Sequence, residues 1–159
     1  MRRLLLFAMA IIFAMQLTAQ TVVVVGDTNT SSTSSYLPGY LYYKKSFTES
    51  IYPAASLVPG MITKLSYYHN GGDFTNGQLT IYMKEVTEST LTSFDVSEGF
   101  QEVFSGPVNF PSGRSDFELT TPFVYTGSGN LLIAVIRDGS SYVNYHTFKT
   151  LSGSSVYAY

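Results

Sequence analysis

Apolar and polar residues alternate along much of this chain. From Met61 to His69, Thr63, Leu65 and Tyr67 fall on one side and Lys64, Ser66 and Tyr68 on the other, the two-residue period of a strand with one wet face. From Leu79 to Val86, Leu79, Ile81 and Met83 alternate with Thr80, Tyr82 and Lys84 in the same way. Asn70-Gly71-Gly72 and Asn76-Gly77 stand between the two runs, so these are expected to pair as a hairpin with a loop longer than two residues. Leu131 to Ile136 is apolar on both sides, as a central strand covered on two faces would be. Thr126-Gly127-Ser128-Gly129-Asn130 before it is a turn rich in residues that accept positive φ.

The remaining extended segments are short. Val22 to Val25 is a β-branched run ending at Gly26, followed by a polar loop from Thr28 to Ser35, and Tyr40 to Phe47 follows Pro38-Gly39. A short helical turn fits between Ser46 and Leu57, limited by Pro53. Glu88 to Gly99 is a polar connection over the surface. Gln101 to Ser105, Val108 to Phe110, Asp116 to Thr120 and Pro122 to Tyr125 are separated by Gly and Pro, and Tyr142 to Phe148 and Ser155 to Tyr159 complete the series. About nine strands with turn signals roughly every 8 to 12 residues predict an all-β protein, an antiparallel β-sandwich of jelly-roll-like form.

Residues 1–19 read as a secretory signal peptide. Arg2 and Arg3 precede an apolar run from Leu4 to Met15, too short to span roughly 30 Å of bilayer, and Ala19 supplies a small residue before the cut. Residues 20–159 are then one exported domain, secreted or on the cell surface, with no membrane insertion after cleavage. Val156-Tyr157-Ala158-Tyr159 is strand-like to its last residue, so the domain is expected to lack its C-terminal strand or strands and to belong to a longer protein.

Without the leader, seven Lys and Arg face eleven Asp and Glu, a balance that disfavours nucleic acid and anionic membranes as partners. No cysteine is present, which excludes disulfides, thiolate metal sites and cysteine nucleophiles. Thirteen Tyr and eleven Phe without Trp suit half-buried pleated surfaces.

Several segments together resemble the N-terminal β-sandwich domain of large secreted and cell-surface proteins of the Bacteroidetes, which occurs beside fibronectin type III, cleaved-adhesin or sorting domains. They are Glu49-Ser50-Ile51-Tyr52-Pro53-Ala54, Ile62 to Tyr67, Ile81-Tyr82-Met83-Lys84, Val103-Phe104-Ser105-Gly106, and Pro122 to Gly127 with Asn130-Leu131-Leu132. The chain departs from that pattern in lacking a Trp near Arg114 to Phe117. The resemblance implies an outward-facing adhesion or accessory module with no catalytic residues to carry over.

Chemistry-bearing constellations are sparse. His69 and His146 sit in no Gly-x-Ser-x-Gly elbow, and a zinc shared between them lacks a third ligand. Their default places are a strand end for His69 and a solvent- or tyrosine-facing position for His146. Glu85, Glu88, Asp95, Glu98 and Glu102 fall where solvated charge is the default, not a glycosidase pair. No catalytic residue, resident metal or cofactor is therefore assigned; calcium is the ion that Asn70 to Asp73 or Asp138-Gly139-Ser140 would suit, although both are turn sequences first. The best binding surface pairs Tyr68 and Lys64 with Tyr82 and Lys84 on the wet faces of the expected hairpin, extended by Tyr43 or Tyr42. Such aromatic platforms flanked by ammonium donors stack on sugar rings. The expected function is a non-catalytic extracellular adhesion or ligand-binding module for a glycan or a host or cell-surface protein. The alternative is an accessory domain of a secreted peptidase or glycoside hydrolase whose catalytic part lies elsewhere.

Overall fold

The computed structural model describes residues 20–25, 33–34, 36–95, 97–143, 146–150 and 155–158. Residues 1–19, which read as a signal peptide, and most of the polar loop before Ser35 lie outside them. Among the described residues nine strands run in chain order: β1 (Thr33–Ser34), β2 (Lys45–Tyr52), β3 (Gly60–Asn70), β4 (Phe74–Val86), β5 (Gln101–Phe110), β6 (Gly113–Tyr125), β7 (Asn130–Asp138), β8 (Thr147–Lys149) and β9 (Ser155–Ala158). They form two antiparallel sheets, ordered β1-β8-β3-β6 and β5-β4-β7-β2-β9. Among the described residues no helix is long and apolar enough to cross a membrane.

The topology is a rolled ribbon. β1 pairs with β8, β2 with β7, β3 with β6 and β4 with β5, and successive pairs fall in alternate sheets. This is the jelly-roll form of the antiparallel β-sandwich, with β9 added beside β2. Every connection crosses between sheets except the one closing the ribbon, from β4 to β5. The expected hairpin of β3 with β4 is therefore corrected: the two strands lie in opposite sheets. Alternation reports that a strand has one wet face but is silent about its partner.

Leu79, Ile81 and Met83 of β4, Ile133 and Val135 of β7, Val103, Val108 and Phe110 of β5, and Phe117, Leu119, Phe123 and Tyr125 of β6 form the core between the sheets. Close packing there supplies the main driving force, since burying a side chain the size of Leu or Phe is worth about 1.5–3 kcal/mol.

The expectation for β7 holds from Leu131 to Val135, which are buried on both faces between β4 and β2, but not at Ile136, which is 39% exposed. Its second cover is the β4–β5 connection, residues 87–100. Leu132, Ala134 and Ile51 are buried outside the main core, and the rings of Phe47 and Phe94 meet at 4.8 Å.

Four other expectations are corrected. Val22 to Val25 forms no strand, and Val22 is 71% exposed. The short helical turn expected between Ser46 and Leu57 is present, but it is confined to the 3-10 turn Ala54–Ser56 after Pro53, and the segment from Ser46 through Tyr52 is strand. Its strand period was hidden because Thr48 and Ser50 face Tyr67, Ile133 and Val135 while Ile51 packs outward, a reversal of the usual polarity. The pieces on either side of Gly106-Pro107 form one strand, as do those around Pro122, because β5 and β6 lie at sheet edges where a missing N–H breaks no ladder. Among the described residues of Tyr142 to Phe148, only Thr147 and Phe148 are in a strand.

Candidate functional site

The four strand residues proposed as one surface do not meet. Lys64 and Tyr68 lie on β3 in one sheet, and Tyr82 and Lys84 on β4 in the other. The Lys64 ammonium is 2.6 Å from Glu118 across the β3–β6 pair. Burial, and then the hydrogen bond to Glu102, raise the Tyr82 phenol above the usual range.

Lys84 is on no wet face at all. It is 7% exposed beneath the β4–β5 connection, with its ammonium 2.6 Å from Asp95, 2.7 Å from Ser97 Oγ and 4.3 Å from the centre of the Phe100 ring. The hydrogen bond from Lys84 holds the Asp95 carboxyl down to about 2. Beside it Glu49 is fully buried; its Oε2 accepts the Asp95 N–H at 2.8 Å and its Oε1 has no partner, so burial pushes its carboxyl up. This polar group fastens the cover over β7.

Tyr43 is the expected residue that leads to an aromatic surface. It belongs to a group at one end of the roll, where the β1–β2 connection meets the β7–β8 connection. Tyr42 links the two connections, with ring centres 5.0 Å from Tyr43, 5.9 Å from Tyr40 and 6.2 Å from Tyr142. Tyr36 adds an edge-on contact to Tyr40 at 4.8 Å. Tyr42, Tyr43 and Tyr142 are 45%, 37% and 64% exposed.

The backbone under these rings is fixed from below. Leu41 is a plug in the main core, 2% exposed. Arg137, 1% exposed at the end of β7, donates from Nη1 to the carbonyl of Tyr43 and from Nη2 to that of Ser141 at 2.7 Å, tying both connections to one guanidinium. Val143 N–H donates to Leu41 O at 3.0 Å and Gly139 N–H to Lys44 O at 2.7 Å. A Cβ on Gly139 would come within 2.6 Å of Arg137 Nη2, so glycine is required for this close approach. Burial lowers the Arg137 pKa, partly offset by Asp138. Sequence reasoning missed Arg137, Tyr36, Tyr40 and Tyr142. Tyrosine clustering at 36, 40, 42 and 43 was the available signal; Tyr142 is distant in sequence and carries none.

His69 closes β3 just before the Gly71-Gly72 bend, as expected, but it also meets His146, which was expected to face solvent or a tyrosine. His69 points inward between Phe110 and Phe148, and its Nε2 is 2.7 Å from His146 Nδ1. No group of three or more metal-ligating side chains occurs among the described residues. The carboxylates of the two calcium-suited loops are used structurally: Asp73 accepts the Ser112 N–H at 2.9 Å and Asp138 pairs with Lys45 at 3.3 Å.

A groove of about 450 Å³ lies at the other end of the roll, lined by Glu85, Glu88, Asp95 and Glu98 among others. Glu85 is saturated there, accepting from the backbone N–H groups and hydroxyls of Thr126 and Ser128 at 2.7–3.0 Å. The tyrosine group is an exposed aromatic surface whose backbone is held from below by Leu41 and Arg137. Compared with protein-family models, with curated proteins and with solved structures, the chain matches none.

Proposed function

We propose that this chain is a non-catalytic ligand-binding β-sandwich, an adhesion module of a larger secreted or surface protein, and that it takes glycans on the tyrosine group at 40, 42, 43 and 142. The observation that carries this reading is that Tyr42, Tyr43 and Tyr142 are exposed together while the backbone beneath them is held by Leu41 and Arg137. Contiguous exposed aromatic surface marks interaction sites. Tyrosine gives contact area with only two side-chain torsions to freeze, and a fixed backbone lowers the entropy lost on binding. The apolar faces of sugar rings stack on such rings, and the phenol hydroxyls bond their edges.

The test is a glycan array followed by calorimetric titration of the best oligosaccharide into the native chain and into Tyr42→Ala and Tyr142→Ala. Affinity falls about ten-fold or more for each variant, equivalent to about 1.4 kcal/mol, with unchanged unfolding midpoints. Unchanged affinity in both variants removes the site.

A further inference from the structure

Charge is unevenly placed along the roll. Residues 36–46 and 137–143, which present the tyrosines, hold three cations, Lys44, Lys45 and Arg137, against one carboxylate, Asp138. The groove at the other end has the reverse balance, with Glu85, Glu88, Asp95 and Glu98 against Lys84. Asp138 lies 3.3 Å from the Lys45 ammonium. Lys44 is exposed, and among the described residues its ammonium enters no ion pair. Its carbonyl accepts the Gly139 N–H at 2.7 Å, which holds its backbone next to Tyr43 and against the connection that carries Tyr142.

Arg137 is the sharper observation. It is 1% exposed, yet both of its terminal nitrogens donate to neutral carbonyls, those of Tyr43 and Ser141, and its Nε has no partner. A charge taken out of water is ordinarily matched by an opposite one, because desolvation costs each ion several kcal/mol. Among the described residues no carboxylate bonds this guanidinium. Its field reaches the tyrosine surface through protein, where salt screens it little.

We propose that the tyrosine site selects acidic sugars: a carboxylate or sulfate on the oligosaccharide answers the charges of Lys44 and Arg137 while a sugar ring stacks on Tyr42 and Tyr142. This inference rests on the reading of the tyrosines as the glycan surface. Stacking and charge act on different parts of the ligand, so they separate by experiment. A neutral sugar uses the rings alone. An acidic one adds attraction to the exposed Lys44 and, at longer range, to the buried Arg137.

The test titrates two matched pairs into the native chain: oligogalacturonate against its methyl ester, and sulfated against unsulfated oligogalactose. Within at least one pair the acidic member binds about five-fold or more tighter in dilute salt, equivalent to about 1 kcal/mol. That ratio shrinks in about 0.5 M NaCl, where the Debye length is about 4 Å. Lys44→Gln narrows the ratio and Asp138→Asn, which removes the one competing carboxylate, widens it. Equal affinity within both pairs, no binding of either acidic member, or a ratio that neither variant moves would overturn the proposal. Tyr42→Ala separates the two readings: equal affinity for acidic and neutral members that falls in Tyr42→Ala rejects the charge selection and keeps the tyrosine surface, whereas affinities that Tyr42→Ala leaves unchanged reject both.

Discussion

The guanidinium of Arg137 donates to the main-chain carbonyl of Tyr43, and through its other terminal nitrogen to that of Ser141. One buried cation thereby joins the two connections that present the tyrosines. Arg137→Lys replaces a planar fork with a compact ammonium that cannot serve both carbonyls. Each carbonyl left unpaired costs about 1–3 kcal/mol. Urea unfolding is expected to show that loss, and ligand affinity to fall although every tyrosine remains.

Gly139→Ala is expected to act like Arg137→Lys. Its new Cβ would sit 2.6 Å from Nη2 and 2.8 Å from the central guanidinium carbon, so the cation must shift. A variant that keeps full affinity and an unchanged midpoint would show that Arg137 does not position the site.

Under the β4–β5 connection, Asp95→Asn and Glu49→Gln are expected to move stability in opposite directions. Asp95 has its folded pKa depressed to about 2, so its contribution is present above about pH 4 and is lost as pH falls toward 2. Asparagine at 95 therefore destabilises at neutral pH, by about 1–2 kcal/mol after allowance for partial exposure. Glu49 has its folded pKa raised, so its ionisation costs stability as pH rises through that value, and glutamine stabilises at pH 7. Chemical denaturation of both variants at pH 7 reads the two signs.

Glu85 closes the turn before β7. Burial pushes its carboxyl up, but the bonds from Thr126 and Ser128 outweigh this and hold it below its ordinary value. Its stabilisation is present above the usual carboxylate pKa and is lost as pH falls below it. Glu85→Ala is expected to cost about 1 kcal/mol at pH 7, with the difference from native shrinking in acid. Gly129→Ala is expected to be worse, because its Cβ would meet Val86 O at 2.5 Å.

Much of the fold was legible because burial is written locally. Leu131 to Ile136 announced a strand covered twice, which it is through Val135, and the Thr126 to Asn130 turn is where its residues predicted. Pairing was not legible, since β3 and β4 show the same alternation whether they lie side by side or face each other across a core. Lys84 shows why the proposed surface failed: alternation put it on the outer face, correctly, but the covering segment that buries that face has no periodicity to read. The tyrosine site was half visible for the same reason. Tyr42 and Tyr43 stand in the Tyr40 to Phe47 segment, which reads as extended, whereas the strand starts only at Lys45 and their assembly with Tyr142 depends on Arg137 and on two loops brought together by the rolled ribbon.

The most direct test of this account is calorimetric titration of the best glycan-array oligosaccharide into native protein, Tyr42→Ala, and the double variant Tyr68→Ala/Tyr82→Ala. Binding that is lost at Tyr42 and kept at Tyr68 and Tyr82 is the predicted result. Full affinity without Tyr42, or loss on changing Tyr68 and Tyr82, would contradict it.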